Sequence, residues 1–276
     1  MASNDKSYGD INPVQVHDDV ERCVEEVKKS GYSVLESFLP QNELEECASR
    51  IDKVYQSQED ELGRDYLTEI NELNVARALL VYDDYFLSLI THKKILKIVE
   101  TILGNYFIIN LQNAIINLPD QEHHQSAWHR DLTYQNFVIS DPIALNVFYC
   151  VDGFSEETGG TQLVPFTHRM GSIPSEEYID KHKVALHCPA GSVVIFDSML
   201  LHKAGYNSSK NIRRGVNHVF SVPIMKQQYD FPAMLNGKFS EDPFLNRLLG
   251  YDSQVPPSIV EWRKLRYKKI KQRQQE

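Results

Sequence analysis

Two histidines, one aspartate and one arginine carry the chemical signal of this chain. In the stretch Trp128-His129-Arg130-Asp131, an extended backbone sends alternate side chains to opposite faces, so His129 and Asp131 point the same way and Arg130 points away. An imidazole and a carboxylate aimed at one point need a second imidazole to become a two-histidine, one-carboxylate facial triad, which binds Fe(II) and leaves three positions open. His202, just after the apolar strand Ser192-Val-Val-Ile-Phe-Asp197, is the candidate third member. A His-x-Asp triplet alone also fits a surface strand salt-bridged through Arg130.

The segment after His202 adds to the signal. In His202-Lys-Ala-Gly205-Tyr-Asn207-Ser-Ser-Lys-Asn-Ile-Arg213 a histidine ends one strand, a Gly/Asn/Ser turn reverses the chain and an arginine starts the next strand. Such a hairpin brings Arg213 back beside the metal ligands. These residues resemble the phytanoyl-CoA dioxygenase branch of the iron and 2-oxoglutarate dependent oxygenases. The family pattern runs His-x-Asp, a Gly-rich strand with Pro and Ser/Thr-His, then His, Gly, Asn and an Arg eleven residues beyond that His. Here it reads His129/Asp131, then Gly159-Gly-Thr161-Gln-Leu-Val-Pro165-Phe166-Thr167-His168, then His202, Gly205, Asn207 and Arg213.

The resemblance implies Fe(II) held by His129, Asp131 and His202, with 2-oxoglutarate taking two open positions and O2 the third. It further implies hydroxylation of a substrate with release of succinate and CO2. The distal carboxylate of 2-oxoglutarate needs a fixed cation, and the guanidinium fork of Arg213 suits it better than a lysine. Arg214 is the neighbouring rival; spacing from His202 favours Arg213. Thr161 stands where the family often places a hydroxyl that bonds the cosubstrate, although a threonine in a strand is also an ordinary β-former. Gln112 and Asn110 are polar where core is expected, which makes them candidate contacts to cosubstrate or substrate. Two places depart from the family: Pro165-Phe166-Thr167-His168 replaces a common Pro-Gly-Ser-His, and Ala127 stands where many relatives carry glutamine. Trp128 and Tyr134 could flank the pocket, but aromatic residues near a strand usually belong to the core. His123, His124, His168, His182, His187 and His218 have no partner geometry and are read as non-ligands.

Elements must position these groups. Val20, Val24 and Val27 recur at helical spacing between Asp18/Asp19 and Gly31, which predicts a helix. Tyr32–Phe38 alternates like a strand. A second helix is expected from about Gln41 to Ser57, with the acidic run Glu59-Asp60-Glu61 and Gly63 as a loop. Residues 64–82 are left open between a strand and a substrate-facing segment. Tyr85–Ile90 and Ile95–Leu103 read as helical, closed by Gly104. From Tyr106 the pattern changes to strands at 106–118, 126–132, 143–151, 160–165, 184–187, 192–197 and 212–222, separated by Gly, Pro and Asp turns. Helices followed by many antiparallel strands predict a mainly β fold with flanking helices, a double-stranded β-helix or cupin-like jelly roll. We expect one domain over 1–276, with a helical part at 18–104, a core at 105–223 and a lid and tail at 224–276.

Composition bounds the rest. Of 276 residues 42% are hydrophobic and 24% charged, as in ordinary globular proteins. No stretch is apolar enough to span a membrane, and Met1-Ala-Ser-Asn-Asp-Lys-Ser lacks signal-peptide character, so a cytoplasmic protein is expected. Cys23, Cys47, Cys150 and Cys188 are scattered, which predicts free buried thiols rather than zinc binding or disulfides. The net charge is −9, but residues 263–276 hold seven Lys/Arg against one Glu, leaving −15 on the body. Such a body repels nucleic acid, so the expected partner is a small-molecule substrate; the basic tail reads as a solvated helix. The competing readings are a non-catalytic cupin-like binding barrel, which has no use for Arg213, and an oxygenase of the same chemistry acting on a macromolecule. A halogenase would lack the carboxylate that Asp131 supplies.

Overall fold

The first helix shows how local sequence sets the frame. Asp18 accepts a hydrogen bond from Glu21 N (2.8 Å) and opens α1, Asp19–Ser30, while Cys23 and Val27 turn inward. Gly31 ends it at φ +95°, donating to Val27 O at 3.0 Å. A side chain there would meet His168 Nδ1 at 2.6 Å, so glycine serves both the turn and the close approach. The structure is a computed structural model describing residues 14–121, 123–132 and 138–274.

After β1, Tyr32–Leu35, comes α2, Gln41–Leu62. It is longer than the predicted Gln41–Ser57: the acidic run 59–61 stays helical, and Gly63 N closes the helix on Glu59 O at 2.8 Å. Gln58 supplies the reason. Its buried amide bonds both main-chain groups of Arg77, at 2.6 and 2.9 Å, which pins the last turns of the helix. The segment left open resolves into α3, Arg64–Glu69, β2, Val75–Arg77, and α4, Leu79–Tyr82. Then follow α5, Phe86–Ile90, and α6, Lys93–Leu103, closed by Gly104 as expected.

The remaining strands are β3 Ile108–Asn117, β4 Ala144–Cys150, β5 Gln162–Leu163, β6 Val184–Ala185, β7 Val193–Asp197, β8 His202–Lys203 and β9 Arg213–Ser221, with helix α7, Glu176–His182, before β6. One antiparallel sheet runs β1-β7-β4-β9-β3-β2 and a second runs β6-β5-β8. The helices α1, α2, α5 and α6 cover the large sheet on one face, with Ile109, Leu145, Val147, Ile195 and Phe220 in that core. The opposite face, with Ile115, Phe148, Val194 and Phe196, closes against the small sheet. This is a jelly roll with flanking helices. Burial on both faces explains why β3, β4 and β7 are buried along their whole length.

The predicted strand 126–132 is not one. Residues His124–Ser126 form a 3-10 turn, and the chain then makes a single antiparallel bridge between His129 and His202. It crosses from β8 toward the end of β7, where Asp131 N bonds Ser198 O at 3.0 Å, so no ladder can extend. Past β9 the chain forms α8 Phe231–Met234, α9 Pro243–Leu248 and α10 Ile259–Arg273. All four cysteines are buried free thiols.

Candidate metal centre and cosubstrate pocket

The His129/His202 bridge is the foundation of the site. Two main-chain hydrogen bonds, His129 N to His202 O (2.9 Å) and His202 N to His129 O (3.0 Å), bring the rings to 4.4 Å between centroids. Each ring is held the same way, with Nδ1 on the carbonyl two residues earlier: Ala127 O at 2.8 Å and Leu200 O at 2.9 Å. A carbonyl can only accept, so Nδ1 carries the proton and Nε2 keeps its lone pair free. Both Nε2 atoms lie 3.5 Å from Asp131 Oδ1. The three ligand-type atoms all fall within 4.8 Å of one another and could hold a metal ion.

Electrostatics favour a cation there. Burial pushes the Asp131 carboxyl up, but without a metal the attraction of His202 and His129 in their protonated forms, together with the Asn146 hydrogen bond, holds it well below the usual carboxylate range, so it stays ionised. Burial pulls His129 down, yet Asp131 outweighs it and the imidazole ends above its ordinary value. His202 ends below, because its burial outweighs the Asp131 attraction. An ionised carboxylate with two imidazole lone pairs around it is the donor set of a divalent metal.

The same cavity is lined by Thr161, Phe148, Phe196, Asn217 and Arg213. The cavity is tight, with a volume of about 20 Å³. Arg213 is 1% exposed. Its Nη2 donates to Gly159 O at 2.6 Å, its guanidinium lies 4.6 Å from the Phe154 ring centroid, and its Nε has no hydrogen-bond partner. Burial lowers its pKa to about 10, so it remains a cation at neutral pH. Gly159 can present that carbonyl because it sits at φ +69°, with Gly205 O and Asn117 Nδ2 each 2.6 Å from where a Cβ would stand. Asn207 braces the turn between His202 and Arg213, donating to Asn117 O (2.9 Å) and Asn211 O (2.8 Å). Arg214 faces the other way, paired with Asp52 (2.8 Å) and Asp152 (3.1 Å).

Gln112 is not at the cavity. It points to the helical face of the large sheet, where Oε1 accepts from Leu80 N (2.7 Å) and Nε2 lies 2.9 Å from His218 Nε2. Asn110 is held by Ser221 Oγ and Lys226 O. Arg130 is buried rather than on a surface strand, and ties the Thr167–Met170 turn by bonds to their carbonyls at 3.1 and 2.7 Å. Trp128 lies under Lys203 Nζ, 5.1 Å from the ring centroid; Tyr134 lies outside the described residues. His168 and His218 are buried away from the triad, His218 packing edge-on against Tyr149, and His182 stacks on Tyr178.

Sequence reading missed Asn146, Asn217 and Ser198, which surround Asp131. Asn146 and Asn217 are polar residues on strands buried on both faces, at positions facing the cavity. A polar side chain inside such a strand is itself a signal, because its burial requires a partner.

Comparison with known proteins places these groups in context. The sequence model of the phytanoyl-CoA dioxygenase (PhyH) family matches residues 27–215, a span that contains His129, Asp131, His202 and Arg213. The Mycobacterium tuberculosis protein Rv1501 is 34% identical over 245 residues, covering 84% of this chain and 87% of that one. Human peroxisomal phytanoyl-CoA dioxygenase is 21% identical, covering 70% and 66%. Among solved structures, EctD from S. alaskensis, with 2-oxoglutarate and 5-hydroxyectoine, aligns with TM-score 0.63 at 18% identity over 74% of this chain and 76% of its own. The epimerase SnoN, in complex with Fe3+, alpha-ketoglutarate and nogalamycin RO, aligns with TM-score 0.58 at 17% identity over 74% and 84%.

Proposed function

We propose that this chain, which belongs to the phytanoyl-CoA dioxygenase family, is an Fe(II)- and 2-oxoglutarate-dependent dioxygenase that hydroxylates an unactivated C–H bond of a small-molecule metabolite, releasing succinate and CO2. One observation carries the reading. A cavity that gathers His129, Asp131 and His202 also contains a buried guanidinium whose Nε is unpartnered. Burying a cation without an anion is costly, and a dicarboxylate entering the cavity would repay that cost. A bare metal-binding barrel would have no such reason to bury Arg213.

The residues present fit iron and 2-oxoglutarate. His129 Nε2, His202 Nε2 and one oxygen of Asp131 would hold Fe(II), and Arg213 would receive the distal carboxylate of 2-oxoglutarate through Nε and its remaining donors. Thr161, 4% exposed on the cavity wall, would offer its hydroxyl to the cosubstrate. When bound, iron and 2-oxoglutarate together supply the oxidising power that inserts one oxygen atom of O2 into the substrate. Phe148, Phe196 and Ile115 supply the apolar part of a wall that is otherwise polar, and the burial of Arg213 strengthens its attraction for a carboxylate. SnoN and EctD, whose structures contain 2-oxoglutarate, support the cosubstrate assignment by their shared fold.

A small substrate agrees with the clefts beside the barrel. A cleft of about 290 Å³ lies between the 58–82 region and Tyr229 and Met234. Tyr229 reaches from it to Asn113 Oδ1 at 2.9 Å, and Asn113 is the cross-strand neighbour of Asn217. Among the described residues no helix is long and apolar enough to cross a membrane. The test is succinate formation by the Fe(II)-loaded protein with 2-oxoglutarate across a metabolite panel. A metal-loaded protein that binds 2-oxoglutarate no better than the metal-free protein would reject the reading.

A further inference from the structure

Asp131 has two carboxylate oxygens, and the structure treats them differently. Oδ1 faces both imidazoles. Oδ2 faces away, accepting a short hydrogen bond from Asn146 Nδ2 and a longer one, 3.5 Å, from Asn217 Nδ2. Asn146 is fully engaged: its Oδ1 accepts from Ser198 Oγ (2.5 Å) and its Nδ2 also donates to Asn217 Oδ1 (3.2 Å). The amide cannot be turned over, because that would set its oxygen against an ionised carboxylate. Ser198 fixes Asp131 a second time, since its carbonyl takes the Asp131 N–H at 3.0 Å. Asn146 and Ser198 are 0% exposed and Asn217 is 8% exposed, so water does not compete for these bonds.

We infer that Asn146, oriented by Ser198 and braced by Asn217, is a positioning residue that keeps Asp131 a single-oxygen ligand through Oδ1. A carboxylate with both oxygens free can occupy two coordination positions. With Oδ2 held by two amides it occupies one, and the position that remains stays open for cosubstrate. Asn146 thus protects the open face of the site without touching metal or substrate. The inference rests on the metal reading of the His129/Asp131/His202 cluster.

The experiment uses the full chain stripped of metal and titrated with Co(II), following calorimetric Kd and the visible d–d spectrum. Asn146→Ala should weaken Co(II) binding about 10- to 100-fold, the usual effect of losing an outer-shell partner, and change the d–d bands as Asp131 gains a second binding mode. Ser198→Ala should move both readouts in the same direction, and Ser198→Thr, which keeps the hydroxyl, should restore them. Asn110→Ala separates positioning from stability: Asn110 is a buried amide of the same sheet bonded to Ser221 Oγ at 3.0 Å, so its loss should lower the Tm of the metal-free protein and leave Co(II) affinity alone. The inference is overturned if Asn146→Ala and Ser198→Ala stay within twofold of the parent while His129→Ala loses Co(II), or if Asn110→Ala weakens binding as much. Parent-like Co(II) binding by His129→Ala would instead remove the metal reading itself, and this inference with it.

Discussion

His129 and His202 are joined main chain to main chain by hydrogen bonds of 2.9 and 3.0 Å, and their side chains project from that bridge toward one carboxylate oxygen. The bridge couples two distant parts of the sequence through backbone alone. Side-chain chemistry at either position can therefore be removed without cutting the connection that holds the site together.

The first prediction uses that separation. His129→Ala and His202→Ala should keep the parent circular dichroism spectrum while each loses Fe(II) binding, measured anaerobically by calorimetry. Two of three ligands leave an incomplete facial set. Undiminished Fe(II) affinity in both variants would refute the assignment.

A second prediction concerns pH. Burial lowers the folded-state pKa of His218 to about 3 and that of His168 to about 4, both below the ordinary 6.5. A depressed histidine contributes stability that is complete above the unfolded value and is lost as pH falls toward the folded one. At pH 5 the unfolded chain has taken the proton and the folded chain has not, so His218 should cost about 2 kcal/mol relative to pH 7.5. Asp197 works in the opposite sense, because burial raises it to about 6 and its protonation relieves strain as pH falls. The measurement must therefore be a difference: urea unfolding in chelator at pH 7.5 and 5.0, for the parent and for His218→Asn. The parent should lose more stability between the two, and equal losses would contradict the prediction.

Gly159 yields a third. Its φ of +69° and the 2.6 Å approach of Gly205 O leave no room for a methyl group. Gly159→Ala should destabilise the protein by about 2 kcal/mol or more. Because Gly159 O anchors Arg213 at 2.6 Å, it should also raise the KM for 2-oxoglutarate. Thermal unfolding reads the first effect and steady-state kinetics the second; a variant with parent Tm would contradict the steric argument.

What the sequence could and could not disclose follows from periodicity. The first helix, with an aspartate at 18 or 19 to start it and Gly31 to stop it, and the change from helices to strands near Tyr106 were legible because caps and turns are local chemistry. The facing of β3 was not. Its sequence Ile-Ile-Asn-Leu-Gln-Asn-Ala-Ile-Ile-Asn is buried on both faces, so no alternation marks the cavity side, and a register irregularity at Ile109/Leu111 adds a further shift. Gln112 was accordingly expected at the pocket, whereas Asn113 is the residue beside Asn217. The 126–132 segment misled for another reason: a single bridge needs the same residue types as a strand but no ladder. Asn146 escaped because its partner, Asp131, is distant in sequence and only the fold brings them together.

The last prediction separates Arg213 from Arg214, adjacent residues of one strand that face opposite sides of the sheet. Arg213 is buried in the cavity with an unpartnered Nε, while Arg214 is bound to Asp52 and Asp152 on the outer face. If Arg213 receives the distal carboxylate of 2-oxoglutarate, truncating it leaves that carboxylate desolvated and unpaired, at a cost of roughly 2 to 5 kcal/mol. At 1.4 kcal/mol per decade this is a factor of about 30 to several thousand in affinity. Arg213→Ala should thus raise the 2-oxoglutarate KM steeply and leave Fe(II) affinity nearly unchanged, since the residue is not a ligand. Arg214→Ala breaks half-exposed ion pairs, which costs about 1 kcal/mol of stability or less, and should shift the KM by no more than a few-fold. Steady-state kinetics with metal calorimetry on both variants decides the matter. The opposite order would place the wrong arginine in the pocket, and an unchanged KM in both would remove 2-oxoglutarate from the cavity.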